Sequence, residues 1–182
     1  DALGYKRIHT IDGRVIFEGD ETAIARCNLW LRTAEHVFVL VGTFRATSFE
    51  ELFEGTKALP WQDFIPQDGE FPVKGHSIKS ALTSIPDCQS IVKRAVVARL
   101  SETYGLSWLP EEGVKYQIEF FILKDEASLM IDTSGAPLHK RGYRPQNMPA
   151  PLRETLAAAM VKISRYKGRD IFCDPFCGSG TI

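Results

Sequence analysis

A chain of 182 residues, 44% of them hydrophobic and 25% charged, has the composition of an ordinary globular protein, with room for one large domain or two small ones. No apolar run approaches the roughly 18 residues needed to span a bilayer, and these residues contain no signal-peptide pattern. Four cysteines (Cys27, Cys88, Cys173, Cys177) form no C-x-x-C pair, which argues against a zinc site or a disulfide framework and fits a reducing cytoplasm. The sequence opens at Asp1 and stops inside a motif, as expected of a fragment.

The net charge of −1 hides a segregation. Residues 1–70 carry 7 basic and 12 acidic side chains, and residues 101–134 carry 2 and 7. Between them, residues 71–100 carry 5 basic side chains against Asp87 alone, and residues 135–169 carry 8 against Glu154 alone. Two basic blocks on an otherwise acidic chain suit a localised anionic partner, with nucleic acid foremost. Two solvated helix faces would give the same count.

In chain order, residues 7–11 and 14–17 flank an Asp12-Gly13 turn and read as a hairpin. Asp20 is placed to cap a helix over 21–32, whose apolar positions Ala23, Ile24, Cys27, Leu31 and Trp30 follow helical spacing. Residues 36–44 read as a strand. Ser48-Phe49-Glu50-Glu51 is a capping box opening a helix to about Lys57. Pro60 and Pro66 bracket one helical turn, and its Trp61 and Phe64 are read as core rather than as base-stacking residues. Residues 71–75 form a strand that delivers Lys74 and then a polar loop, His76-Ser77-Ile78-Lys79-Ser80. Pro86 opens a helix to Tyr104, stopped by Gly105, with Ile91, Val92, Ala95, Val96 and Leu100 as its buried stripe. Lys93 and Arg94 near the 76–84 loop would suit phosphate, which Lys and Arg bind without reading sequence. Residues 116–123 and 127–132 read as a second hairpin.

The succession helix, strand, helix, strand, helix, strand, strand over roughly residues 23–134 resembles the THUMP domain, an RNA-binding module of RNA-modifying enzymes. The resemblance is carried by Phe71-Pro72-Val73-Lys74, the loop from Ser80 to Ser84 and the helix start Gln89-Ser90-Ile91-Val92-Lys93-Arg94-Ala95. It implies that residues 1–22 are the remnant of a ferredoxin-like region.

Residues 135–148 form a basic linker in which Lys140, Arg141 and Arg144 would hold RNA phosphates and Tyr143 would stack a base. A strap whose arginines pair with neighbouring acids fits the same residues. A helix starting near Pro149 and running to about Tyr166 offers backbone N–H groups and the Thr155 hydroxyl at its N-terminal end. Residues 169–173 then read as a buried parallel strand, leading into Asp174-Pro175-Phe176-Cys177-Gly178-Ser179-Gly180-Thr181. A dinucleotide fingerprint needs a third glycine and a phosphate loop needs a lysine; this loop has neither. It suits S-adenosylmethionine, which has no phosphate, with Asp174 facing the ligand's ammonium. By spacing alone, a plain glycine turn remains open.

Asp174 to Thr181 resembles the first motif of class I methyltransferases that act on nucleic-acid amino groups, and Arg153-Glu154-Thr155-Leu156-Ala157-Ala158-Ala159 resembles their preceding cofactor-side helix. With Arg141-Gly142-Tyr143-Arg144 and a THUMP-like region upstream, the combination resembles bacterial THUMP-containing methyltransferases of large-subunit (23S) ribosomal RNA. These modify guanine N2 and are sometimes labelled N6-adenine-specific DNA methylases. The resemblance implies an α/β architecture: a THUMP-like RNA-binding domain (23–134), followed by the first elements of a Rossmann-like methyltransferase domain (149–182). It implies S-adenosylmethionine as cofactor, contacted by Thr155, Asp174, Pro175, Phe176, Cys177, Gly178, Ser179, Gly180 and Thr181. RNA is the implied partner, contacted by Lys74, Ser77, Lys79, Lys93, Arg94, Lys140, Arg141, Tyr143 and Arg144. No metal is implied. The family's catalytic Asn-Pro-Pro-Tyr-type tetrapeptide does not occur in these residues, so no catalytic residue is assigned. Two alternatives stand beside this reading: an RNA-binding or assembly module with an inactive methyltransferase domain, and a DNA adenine methyltransferase.

Overall fold

The computed structural model describes residues 3–11, 13–140, 152–169, 171–178 and 180–182. The chain forms two compact units, one from residues 38–133 and one from 1–37 together with 134–182.

The first is a two-layer unit. Its strands are β3 (Phe38–Arg45), β4 (Val73–Ile78), β5 (Ile118–Leu123) and β6 (Glu126–Asp132), ordered β3-β6-β5-β4 across one sheet. The pairings β3–β6 and β5–β6 are antiparallel, while β4–β5 is parallel, with Gly75 opposite Phe120. One sheet face carries a core with Trp61, Phe71, Val92, Val96, Leu100, Phe120 and Leu129 buried together. Each such aliphatic or aromatic side chain contributes about 1.5–3 kcal/mol when removed from water.

The covering helices follow from local signals. In α2 (Phe49–Lys57) the Ser48 hydroxyl accepts Glu51 N–H at 3.2 Å. The reciprocal half of the box closes one residue early, because Glu51 Oε2 accepts from Thr47 N–H at 2.7 Å and from its hydroxyl at 2.8 Å. Helix α3 (Ile85–Tyr104) starts with Pro86 in its first turn and ends on Gly105 at φ +67°, a left-handed cap that glycine adopts without strain. Its buried positions are Cys88, Val92, Ala95, Val96 and Leu100, so Cys88 joins the expected stripe and Ile91 is only partly buried. A single 3-10 turn, Trp61–Asp63, inserts a fully buried Trp61 whose Nε1 donates to the Thr56 carbonyl at 2.7 Å. The core reading of Trp61 is therefore borne out.

The expected loop at 76–80 is shorter than its sequence suggests. His76, Ser77 and Ile78 continue β4, because each pairs with β5. The loop after it is pinned to the β5–β6 turn: Ala81 N–H donates to Asp125 Oδ1 at 2.7 Å and Asp125 N–H to Ser80 Oγ at 3.1 Å. Those bonds hold Lys124 and Asp125 at positive φ, as a tight two-residue hairpin turn requires.

In the second unit, β1 (Lys6–Ile11) and β2 (Arg14–Glu18) form the expected hairpin, with a register shift between Arg7 and His9. Helix α1 (Glu21–Trp30) is capped by Asp20, whose Oδ1 accepts Ala23 N–H at 3.1 Å. It buries Ala23 and Cys27 and leaves Trp30 exposed. Helix α4 (Glu154–Ile163) begins later than expected and ends at the Ser164 cap, two residues before the expected end at Tyr166. The expected proline-led start at 149–151 lies outside the described residues.

Of the buried strand expected at 169–173, the described residues 171–173 form no strand. Ile171 is 98% exposed, and residues 171–174 have no strand pairing. An apolar run becomes a parallel strand only where a neighbouring strand accepts its N–H and C=O groups, and none among the described residues does so.

Candidate cofactor loop and RNA-facing side chains

The turn after Cys173 is built by its own short-range bonds. Asp174 Oδ1 accepts the Phe176 N–H at 2.9 Å, an Asx turn that a short carboxylate makes with the backbone two residues on. Gly180 N–H donates to the Cys177 carbonyl at 2.7 Å. Gly178 and Gly180 take φ of +52° and +69°, so a side chain at either position would strain the backbone. Phe176, Cys177, Gly178 and Gly180 are exposed, and Asp174 is half-buried with Pro175 exposed beside it. Ser179 lies outside the described residues; Thr181 is half-buried. The result is an exposed stretch of backbone beside one carboxylate that has acceptor capacity beyond the Phe176 bond. That fits a ligand with an ammonium and hydroxyls better than one with a triphosphate, which calls for a cation.

Thr155 stands at the N-terminal end of α4, as expected, with its hydroxyl already engaged. Only 5% exposed at the second position of α4, it donates its hydroxyl proton to Glu35 Oε1. Glu35 Oε2 is 2.5 Å from His139 Nδ1, and the Glu35 carbonyl accepts Leu138 N–H at 2.8 Å. Burial alone would raise the Glu35 carboxyl; the hydrogen bonds from Thr155 and His139, with the charges of His139 and Arg153, more than reverse this and hold it below the usual range. Nothing in the sequence marks Glu35, since its partners are about a hundred residues away or more.

The residues expected to contact RNA are dispersed. Lys74 lies on the sheet face opposite the core, 3.5 Å from Glu119 and 3.9 Å from Asp132, where it offsets two carboxylates that are nearly inaccessible. Lys93 is engaged within the unit: its ammonium is 2.5 Å from Glu111 Oε2, 3.1 Å from the Phe71 carbonyl and 3.6 Å over the Phe71 ring. Ser77 donates to the Leu82 carbonyl at 2.5 Å. Arg94 is exposed beside Lys93, with its guanidinium 6.0 Å from the Phe53 ring centre. Lys79, at φ +52°, and Lys140 are also exposed. Arg141, Tyr143 and Arg144 lie outside the described residues. Lys74 and the α3 pair thus occupy opposite sides of the sheet rather than one patch. No group of three or more His, Cys, Asp or Glu able to hold a metal occurs among the described residues. No described helix is long and apolar enough to cross a membrane.

The mixed sheet ordered β3-β6-β5-β4 is followed in the same chain by a helix and an aspartate-led glycine turn. Family models match in the same order: an RlmL ferredoxin-like domain over residues 1–38, a THUMP domain over 46–132, and an RMKL-like methyltransferase domain over 141–182. Over these three segments together the chain is similar to THUMP-containing methyltransferases. It is 52% identical to "Putative RNA methyltransferase YpsC" of Bacillus subtilis (strain 168), across 99% of this chain and 47% of that protein. Among solved structures it is similar to one described as "a predicted N6-adenine-specific DNA methylase" from Listeria monocytogenes str. 4b F2365, at 55% identity and a TM-score of 0.92, over 99% of this chain and 47% of that one. It is also similar to SMU.472, described as "a putative methyltransferase complexed with SAH", at 44% identity and a TM-score of 0.90, over 99% and 48% of the two chains. The chain spans about half the length of the relatives it matches.

Proposed function

We propose that the whole protein is an RNA methyltransferase that modifies an exocyclic base amine in structured RNA, with guanine N2 of 23S ribosomal RNA as its target. The observation that carries this reading is the exposed Asp174-led turn, with two left-handed glycines, in the same chain as a THUMP fold. The similarity to a methyltransferase complexed with SAH supports S-adenosylmethionine as the cofactor. When bound, S-adenosylmethionine supplies the methyl group.

The residues present contribute binding and orientation. Asp174 offers a carboxylate to an ammonium, and the exposed backbone at Gly178 and Gly180 admits close approach of a ligand. An exocyclic amine is a weak nucleophile, so placing it in line at about 3–3.5 Å from the methyl carbon removes much of the entropic part of the barrier. The base must also be reachable outside a helical stack. Holding structured RNA while one base is presented is a task that suits the THUMP unit and the exposed Lys79, Arg94 and Lys140.

The test is methyl transfer by the full-length protein to 23S ribosomal RNA from a deletion strain, with duplex DNA in parallel and nucleosides read by mass spectrometry. N2-methylguanine in the ribosomal RNA is the expected product. N6-methyladenine in DNA would replace this reading with a DNA methylase, the activity named for the Listeria relative. No transfer to either substrate, with RNA binding retained, would leave a binding module.

A further inference from the structure

Glu35 draws together segments that are far apart in sequence. Thr155, 120 residues away, donates to one carboxylate oxygen, and His139, 104 residues away, meets the other. Residue 35 falls in the stretch matched to the ferredoxin-like domain and Thr155 in the stretch matched to the methyltransferase domain, yet both belong to one compact unit.

Helix α4 has a reason to need this contact. Its N-cap, Arg153, makes no side-chain capping bond. A helix start presents unpaired N–H groups and a partial positive charge, and a nearby carboxylate complements both. Glu35 brings that carboxylate to the second residue of α4. Just past the other end of α4, the Tyr166 ring lies 5.1 Å from the Phe172 ring, two residues before Asp174. The helix is therefore fastened by Glu35 at its start and by an aromatic pair to the run that enters the glycine turn.

We propose that Glu35 is a positioning residue for cofactor binding: by holding Thr155 and His139 it fixes the start of α4, and through α4 the setting of the 174–181 turn. This rests on reading that turn as the S-adenosylmethionine site. Glu35 itself touches no cofactor. Its action on α4 runs through the Thr155 hydroxyl, because Thr155 lies in that helix and His139 does not.

The experiment measures the affinity of full-length protein for S-adenosylmethionine and for a 23S ribosomal RNA transcript, together with the thermal midpoint. Wild type binds both. Glu35→Ala and Thr155→Val each weaken S-adenosylmethionine binding by about ten- to a hundredfold, the loss expected for one charged hydrogen bond. The double variant is no weaker than the weaker single one, as for two partners of one contact. Thr155→Ser keeps the hydroxyl and binds within about twofold of wild type. RNA affinity stays unchanged throughout. Wild-type cofactor affinity in Thr155→Val, with only a lowered midpoint, would overturn the proposal and leave Glu35 a purely structural clasp; additive losses in the double variant would overturn it too. If Glu35→Ala does not fold, the Thr155→Val and Thr155→Ser pair decides alone. A wild type that binds no S-adenosylmethionine removes the reading of the turn itself, an outcome distinct from all of these.

Discussion

Lys93 Nζ lies 2.5 Å from Glu111 Oε2 and 3.6 Å above the Phe71 ring, so one ammonium serves an ion pair and an aromatic face at once. The side chains of Lys93 and Glu111 are each about a third exposed, which partly screens the pair. Lys93→Ala removes the pair, the bond to the Phe71 carbonyl and the ring contact together. It is expected to destabilise the 38–133 unit by about 1–3 kcal/mol, read as a shifted urea midpoint at constant slope. An unchanged midpoint would show that the Glu111 contact contributes nothing net.

Arg94, the next residue, is the better test of RNA contact because its guanidinium is exposed. Arg94→Glu should lower RNA affinity and reduce the slope of log affinity against log salt by about one or more, since a phosphate contact releases counterions. Stability should change little. An unaltered salt slope would assign the basic character of this helix face to solvation.

Asp174 has two separable roles. Its Oδ1 shapes the turn by accepting Phe176 N–H, and its charge is what an ammonium would meet. Asp174→Asn keeps an acceptor for the turn and removes the charge; Asp174→Ala removes both. Calorimetry on the full-length protein should show S-adenosylmethionine binding weakened by about 1–3 kcal/mol in each. Wild-type affinity in both variants would remove Asp174 from the cofactor site.

What was legible in advance was what neighbours in sequence determine. Pro86, Gly105 and a repeating apolar stripe specify α3 locally, and Asp20 and Ser48 mark the starts of their helices in the same way. The 169–173 run shows the limit of such reasoning: its composition describes a strand, but a strand exists only with a partner to bond to, and Ile171 is left exposed. The site residues show a second limit. Residue type marked Lys93 and Thr155 as ligand-binding groups, but their bonding is decided by Glu111 and Glu35, 18 and 120 residues away. Only the folded chain brings those partners together.

Glu35 predicts a pH dependence with a definite sign. Burial raises its carboxyl, while Thr155, His139 and the charges of His139 and Arg153 together lower it further, so the folded pKa lies below the unfolded one. A carboxyl of this kind adds stability that is complete above its unfolded pKa and is lost as pH falls through the folded value. The contribution is therefore intact at neutral pH, begins to fade around the ordinary glutamate range, and is gone below the lowered value. The difference in thermal midpoint between wild type and Glu35→Gln should shrink across that acid window. Asp20 and Glu51 are also lowered, but they are common to both proteins and cancel in the difference. A difference that stays constant with pH would uncouple the carboxylate from folding.

Gly75 tests how closely β4 meets β5. A Cβ built there would stand 2.3 Å from the Phe120 carbonyl oxygen and 2.5 Å from atoms of its ring. The ring could turn only within a fully buried core, and the carbonyl is fixed by the strand, so neither can give way cheaply. Glycine is required here for space, not for a left-handed backbone, because no positive φ is found at this position. Gly75→Ala should therefore cost about 1–3 kcal/mol or more, as overpacking does in other cores. Because Lys74 and His76 flank this residue on the opposite face, the strain would also displace them. A lowered urea midpoint accompanied by shifted backbone amide resonances for residues 74–76 is expected, and an unperturbed spectrum at wild-type stability would mean that β4 and β5 stand further apart than described.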